Sequence, residues 1–191
     1  MQARAVTSPS PSTWLKRYYF ARFAVSAAWV ALAFTAGKSN PALAAIMLIG
    51  YPLWDALANY VDARQSGGLG SNKTQLLNFV VSLLTAVAVA IALGKGMNAV
   101  LAVFGVWAIF AGLLQLATAL RRWKTAGAQW AMVLSGAQSS LAGIFFVKMA
   151  GGTAPVGITD VAPYAAFGAF YFFVSAAWLM VSDARKPVRS V

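Results

Sequence analysis

Six long apolar stretches constrain the fold of this chain more than any other feature. A helix needs about 20 residues to cross a hydrocarbon core of about 30 Å. The six stretches have this length and lie at roughly 18–36, 42–63, 74–94, 98–120, 129–149 and 162–182. Short connections rich in Gly and Pro separate them. The sequence therefore predicts an all-α, polytopic membrane protein with six transmembrane helices, and its short connections predict that consecutive helices are antiparallel neighbours.

The composition excludes several classes of function. Of the 191 residues, 60% are hydrophobic and 10% charged, and there is no Cys and no His. Zinc sites, disulfides, thiol nucleophiles and His relays all need those side chains, so we expect no metal site, no cofactor and no enzyme activity. The net charge of +11 comes from basic residues at the ends of apolar stretches. They suit anionic lipid headgroups, and we expect no nucleic-acid partner.

The basic residues also predict an orientation. Three lysines, Lys38, Lys95 and Lys148, fall on one side of the predicted membrane. Twelve cations fall on the side of the termini: Arg4, Lys16, Arg17, Arg22, Arg64, Lys73, Arg121, Arg122, Lys124, Arg185, Lys186 and Arg189. By the positive-inside rule, this distribution places both termini in the cytoplasm of a bacterium, with the chain in the inner membrane.

A repeat of helical hairpins divides the chain. Lys16 and Lys73, Lys38 and Lys95, and Arg64 and Arg121 are each separated by 57 residues. The spacing predicts parallel-repeated hairpins at 16–72, 73–125 and 126–186, in a six-helix membrane domain over 16–186. Residues 1–15 are expected to form a disordered cytoplasmic tail, and 187–191 a short C-terminal one. The alternatives are that topology alone produces the spacing, and that the first stretch is a leader peptide.

Small residues on the fourth and fifth helices predict close helix packing. Membrane helices approach most closely where their interfaces carry Gly, Ala or Ser. The fourth helix has Gly105 and Gly112, and the fifth has Gly136, Ser140 and Gly143. We interpret these five residues as helix contacts.

The acidic residue Asp55 requires a particular explanation, because it lies inside the second stretch. An ionised carboxylate there costs about 2–3 kcal/mol or more unless it is paired or solvated. Asn59 and Asp62 follow at helical spacings, so the three residues share one face. Arg22 lies at a comparable depth in the first helix. The candidate polar site of Asp55, Arg22, Asn59 and Asp62 is therefore either an interhelical ion pair or a proton- or cation-responsive site at the base of a crevice.

Further polar residues lie on the third, fourth and fifth helices. Such residues can line a polar path, or they can form hydrogen bonds between helices. The sequence leaves both interpretations open for Asn78, Ser82, Thr85, Gln115, Ser135, Gln138 and Ser139.

One segment of the chain resembles a known family. The stretch from Gly105 to Arg121, the run Trp130–Gly136 and the run Leu141–Ile144 are similar to the HdeD family of bacterial inner-membrane proteins. Val147-Lys148 and the stretch 51–64 depart from that pattern, as in a divergent branch. The resemblance implies six helices in short repeated hairpins and a role in acid or envelope stress, and it supplies no catalytic residues.

Two functions from different classes follow. The first is a non-enzymatic, HdeD-like membrane protein that acts through its presence in the bilayer or through a partner, either a second copy or another membrane protein. The second is a small proton-linked transporter or channel that uses Asp55 and the neighbouring polar residues. A dry bundle with Asp55 bound to Arg22 would favour the first, and a water path to Asp55 would favour the second.

Overall fold

The computed structural model describes residues 11–65, 67–122 and 129–185, and within these the chain is helical. The helices are α1 (Pro11–Leu32, continued by a π-helical turn over Ala33–Gly37), α2 (Pro41–Gln65), α3 (Lys73–Leu93), α4 (Met97–Arg122), α5 (Gln129–Ala150) and α6 (Ile158–Ala184). All six are long and apolar enough to cross a membrane. The predicted all-α fold with six spans is thereby confirmed.

The first helix begins earlier than the sequence suggested. It starts at Pro11. Proline is favoured in a first helical turn because a backbone N–H there would have no acceptor within the helix, and because the φ of proline is already helical. Residues 11–15, predicted as part of the disordered tail, therefore belong to α1. Residues 1–10 and the predicted tail 187–191 lie outside the described residues.

Large apolar side chains cover the outside of the bundle. Ile46, Leu84, Leu120 and Leu141 are all about two-thirds exposed. A protein in water rarely presents so much contiguous apolar surface, whereas hydrocarbon tails cover it without cost. The outer faces of the helices thus suit a position within a bilayer.

The helices follow one another around the bundle in chain order, and α6 returns to pack against α1. The closest packing joins α4 with α5, α1 with α6, and α2 with α3. An ion pair of 3.0 Å between Lys16 and Asp183 also connects the beginning of α1 to the end of α6. By contrast, α1 meets α2 at few positions, as does α5 with α6. Three close pairs therefore alternate with looser contacts.

The two halves of the bundle differ. We call the end at which α1 begins and α6 ends the terminal side, and the other end the lysine side. Side chains that are almost fully buried fill the half on the lysine side: Leu48, Val89, Val100, Leu101, Phe104 and Val161. The half on the terminal side contains the cavity described next.

Candidate functional site

A polar cavity of about 440 Å³ lies between the helices in the half on the terminal side. All six helices contribute to its wall, which extends from Thr74 and Gln75 in the first turn of α3 to the middle of the bundle. Its lining includes Tyr19 and Arg22 of α1; Tyr51, Asp55 and Asn59 of α2; Asn78 of α3; Trp107, Ala111 and Gln115 of α4; Ser135, Gln138 and Ser139 of α5; and Tyr164, Gly168, Tyr171 and Phe172 of α6. The residues that carry most of the polar groups within the spans thus surround one space.

The lining positions recur along the chain. On the even helices they lie four residues apart, and the three sets are Tyr51, Asp55 and Asn59; Trp107, Ala111 and Gln115; and Tyr164, Gly168 and Phe172. Corresponding positions are separated by 56 and then 57 residues. On the odd helices, Tyr19 and Arg22 correspond to Gln75 and Asn78 at a spacing of 56, and to Ser135 and Gln138 after a further 60. Superposition of the three predicted hairpins stays a prediction.

Three aromatic side chains form the inner end of the cavity. Tyr51, Trp107 and Tyr164 come from the three even helices, and both the Tyr51–Trp107 and the Trp107–Tyr164 ring centroids are 6.1 Å apart in edge-on arrangements. Phe104 packs against Trp107 from the lysine side at 5.7 Å. Edge-to-face contacts of this kind are favourable and stabilise the three rings as one aromatic layer. Because Phe104, on the lysine side of this layer, is fully buried, the layer lies between the cavity and the apolar half of the bundle.

An ion pair occupies one wall of the cavity. The Arg22 guanidinium donates through Nη2 to the Oδ1 atom of Asp55. The other carboxylate oxygen, Oδ2, accepts hydrogen bonds from Asn59 Nδ2 at 2.9 Å and from Ser82 Oγ at 2.8 Å. Ser82 in turn accepts a hydrogen bond of 3.3 Å from Trp107 Nε1. Both oxygens of the carboxylate are therefore held by α1, α2 and α3, which offsets part of the cost of a charge at this depth.

The guanidinium has two further partners. Its Nη1 atom donates to the Tyr18 hydroxyl at 3.0 Å, and its central carbon lies 4.2 Å from the ring centroid of Phe172. A cation above an aromatic face is attracted by the ring quadrupole. Arg22 therefore reaches from α1 to both α2 and α6.

The charges are confined to one of the three related walls. The positions that correspond to Asp55 carry Ala111 and Gly168, and those that correspond to Arg22 carry Asn78 and Gln138. Ala and Gly occupy little volume, so there is open space across the cavity from the carboxylate. The amide of Gln138 accepts a hydrogen bond of 2.8 Å from the Tyr171 hydroxyl. The other polar side chains of the wall are neutral, and apolar residues such as Leu114 and Phe167 lie among them.

The structure separates the predicted polar residues into two groups. Asp55, Arg22 and Asn59 come together in the cavity, whereas Asp62 does not line it and accepts a hydrogen bond of 3.2 Å from Gln75 Nε2. Asn78, Gln115, Ser135, Gln138 and Ser139 line the cavity, while the Thr85 hydroxyl donates to its own helix at Val81 O. Within the described residues, no group of three or more Asp, Glu, His or Cys side chains could hold a metal ion.

The predicted packing residues meet at the contact between α4 and α5. A Cβ atom added to Gly105 would stand 2.8 Å from the Gly143 carbonyl oxygen, and one added to Gly136 would stand 2.8 Å from that of Gly112. Real Cβ atoms are essentially never so close to other heavy atoms. Ser140 lies against Gly112 and donates to Gly136 O at 3.0 Å. The small residues therefore allow the two backbones to touch.

Sequence reasoning missed the aromatic layer. The sequence alone does not distinguish Tyr51, Trp107 and Tyr164 from the other aromatic residues in the spans. Their recurrence at 56 and 57 residues, close to the spacing of the charged landmarks, is the signal that could have found them.

Comparison with known families matches part of the chain. Residues 80–148 match a family described as a short repeat of unknown function, DUF308, the repeat family to which HdeD belongs. The matched third of the chain covers most of α3, all of α4 and α5 as far as Lys148, and it contains the packing glycines. No curated protein and no solved structure matches. The chain is therefore a six-span membrane protein that is similar to the HdeD family through a DUF308 repeat.

Proposed function

We propose that the protein is a proton-linked carrier for a small polar solute. One observation carries this proposal: a cavity of about 440 Å³, lined by all six helices, holds a charged pair at the depth of the membrane core. Sites for small molecules commonly have volumes of about 300–1,000 Å³, with a few polar groups that converge on the ligand. Intramembrane charges that face such a space typically mark a substrate or ion pathway.

The shape of the cavity supports transport over a purely structural ion pair. An ion pair that only joins two helices is satisfied by direct packing and needs no open volume around it. Here the side chains of Asp55 and Arg22 are 20% and 13% exposed. The positions across the cavity carry the small residues Ala111 and Gly168. The space beside the pair is therefore large enough for a bound solute.

The charges indicate the class of solute. In the described lining, Arg22 is the one cation and Asp55 the one carboxylate. A small zwitterion can bind its anionic group to Arg22 and its cationic group to Asp55, and it thereby replaces the interactions that the pair loses on separation. The neutral hydroxyl and amide groups around the pair can hydrogen-bond the rest of the solute.

Asp55 is also the group that a proton can neutralise. The helices α3, α4 and α5 contribute uncharged side chains to the cavity, and the titratable groups on the other three are Tyr19, Arg22, Tyr51, Asp55, Tyr164 and Tyr171. Protonation of the carboxylate would weaken its attraction for Arg22. The carboxyl group cannot hold a proton and the cationic group of a zwitterion at the same time. We therefore expect the proton and the solute to compete for Asp55, and this competition is the step that links their movements.

The halves of the bundle suit alternating access. Transport requires the aromatic layer of Tyr51, Trp107 and Tyr164 to separate while the terminal side closes. The looser contacts between the close helix pairs are the places where such a rigid-body movement would be easiest. We further propose that the cavity faces the cytoplasm of a bacterium in the protein's inner-membrane orientation, which the twelve-to-three distribution of cations supports.

A second function has separate support. We propose as this second function the HdeD-like, non-enzymatic role in acid or envelope stress that the sequence resemblance implies, and the DUF308 match supports the similarity to that family. That role concerns physiology, whereas the carrier proposal concerns mechanism, so one protein can have both. A carrier that moves protons across the membrane would act directly in acid stress.

Proton flux into liposomes tests the carrier proposal. The full chain is reconstituted with a pH-sensitive dye in the lumen, a membrane potential is imposed, and flux is recorded before and after addition of the standard amino acids as a pool of small zwitterions. We expect Asp55→Asn to lower the flux to the level of empty liposomes. The matched control is Asp62→Asn, which removes a carboxylate seven residues away on the same helix but outside the cavity, and it should retain the wild-type flux.

Two outcomes would overturn the proposal. In the first, the wild-type protein shows no flux above empty liposomes under either condition. In the second, Asp55→Asn and the wild-type protein transport equally well.

A further inference from the structure

A second groove lies on the outside of the bundle between α1 and α2, the two consecutive helices that pack loosely. It has a volume of about 270 Å³ and an almost wholly apolar wall. Trp14 and Arg17 lie at its shallow end, near the start of α1, and Trp54 and Leu57 lie deeper, on α2. The groove is therefore a lipid-facing cleft that begins near the membrane surface.

Three residues that line this groove each carry a buried hydrogen-bond donor without a partner. Among the described residues, the buried side-chain nitrogen and oxygen atoms that lack a hydrogen bond are Trp14 Nε1, Arg22 Nε and Trp54 Nε1. All three are N–H donors, and all three residues line the groove. A buried donor with no acceptor is costly, and neither hydrocarbon tails nor the apolar wall supply one. Their concentration at one site points to a ligand that carries several acceptors.

The positions of the donors distinguish between ligands. Trp14 and Arg22 are eight residues apart on α1, which is about 12 Å along the helix axis. A free phosphate ion offers acceptors at one depth only. A glycerophospholipid offers phosphate oxygens at the surface and ester carbonyl oxygens deeper in the membrane, with an acyl chain below.

We propose that the groove between α1 and α2 is a binding site for one anionic glycerophospholipid. The phosphate lies at the shallow end, where the exposed Arg17 side chain attracts its charge and the Trp14 indole donates to it after a small rotation. An ester carbonyl accepts from Trp54 or Arg22, after a small rotation of the side chain. The acyl chain lies along Leu57 and its apolar neighbours on α2. Arg22 lines both this groove and the central cavity, so the lipid site and the proposed solute site share one residue.

Native mass spectrometry of the full chain tests this site. The protein is purified in detergent, depleted of lipid and titrated with phosphatidylglycerol or phosphatidylcholine. We expect one tightly bound phosphatidylglycerol on the wild-type protein. The double variant Trp14→Phe, Trp54→Phe keeps both rings but removes two donors, and its affinity should be at least about fivefold lower. Trp178→Phe, at an exposed position on α6, is the matched control and should bind as the wild type does.

Arg17→Gln tests the charge separately. Arg17 is exposed, so its replacement should leave folding intact even if the double Trp variant fails to fold. We expect it to remove the preference for phosphatidylglycerol over phosphatidylcholine. Equal binding by the wild-type protein, the double variant and Arg17→Gln would overturn the proposal. So would loss of the bound lipid on addition of millimolar inorganic phosphate, since the site would then belong to the free ion.

Discussion

The pair of Arg22 and Asp55 leads to a quantitative prediction about stability. Asp55→Asn keeps the shape of the side chain but removes its charge, and it leaves the guanidinium, which is 13% exposed, beside a neutral amide. Loss of one partner from a buried pair costs about 3–5 kcal/mol. Because the cavity solvates both residues in part, we expect a loss of about 2–4 kcal/mol in the free energy of unfolding.

A double-mutant cycle isolates the interaction. Arg22→Gln should also destabilise the protein, while the double variant should lose less than the sum of the two single losses, with a coupling energy of about 1–3 kcal/mol. The measurement is reversible unfolding in mixed micelles, followed by circular dichroism. Asp62→Asn is the control, because the Asp62 carboxylate accepts from neutral Gln75, and its coupling to Arg22→Gln should be near zero.

The cycle also separates the two functions. A coupling energy near zero for Asp55 and Arg22 would refute the interaction that the structure describes. Strong coupling with no Asp55-dependent proton flux would retain the ion pair as a structural element and remove the carrier.

Two further predictions concern packing and topology. Gly105→Ala should lower the free energy of unfolding by about 1–3 kcal/mol, because its Cβ would press on Gly143 O. Gly50→Ala is the control and should be neutral or stabilising, because there is open space at its Cβ. Equal effects of the two variants in the same unfolding assay would contradict this packing. The chain has no native Cys, so a single introduced cysteine can be labelled specifically. Ser39→Cys should react with a membrane-impermeant maleimide on intact cells, and Ser71→Cys should react only after the inner membrane is opened. The reverse result would contradict cytoplasmic termini.

Much of the fold was predictable, because hydrocarbon leaves few solutions for a backbone. Every peptide group must be bonded within the segment that crosses, so length and apolarity are sufficient to identify helices. Charges in the spans are so costly that two at similar depth, Arg22 and Asp55, indicate a pair. Glycines at Gly105 and Gly112 likewise indicate a close approach.

The cavity could not be predicted with the same ease. Apolar residues surround each helix of a membrane bundle, so the sequence pattern does not say which face points inwards. Polar side chains such as Asn78 and Gln138 suit a cavity wall and a helix contact equally well. The contact of α1 with α6 depends on how the helices pack, and the loops constrain only which ends are near each other. The recurrence of Tyr51, Trp107 and Tyr164 becomes informative once the structure brings them together.

Solvent access to the wall of the cavity tests the central claim most directly. Ala111→Cys places a thiol in the cavity, across from Asp55, and Ala108→Cys places one a turn away at a fully buried position. With a small, membrane-impermeant thiol reagent, we expect Ala111→Cys to react faster in inside-out vesicles than in right-side-out vesicles, while Ala108→Cys reacts in neither. If Ala111→Cys is unreactive from both sides, no solvent-filled cavity surrounds the ion pair, and the site proposed for transport is contradicted.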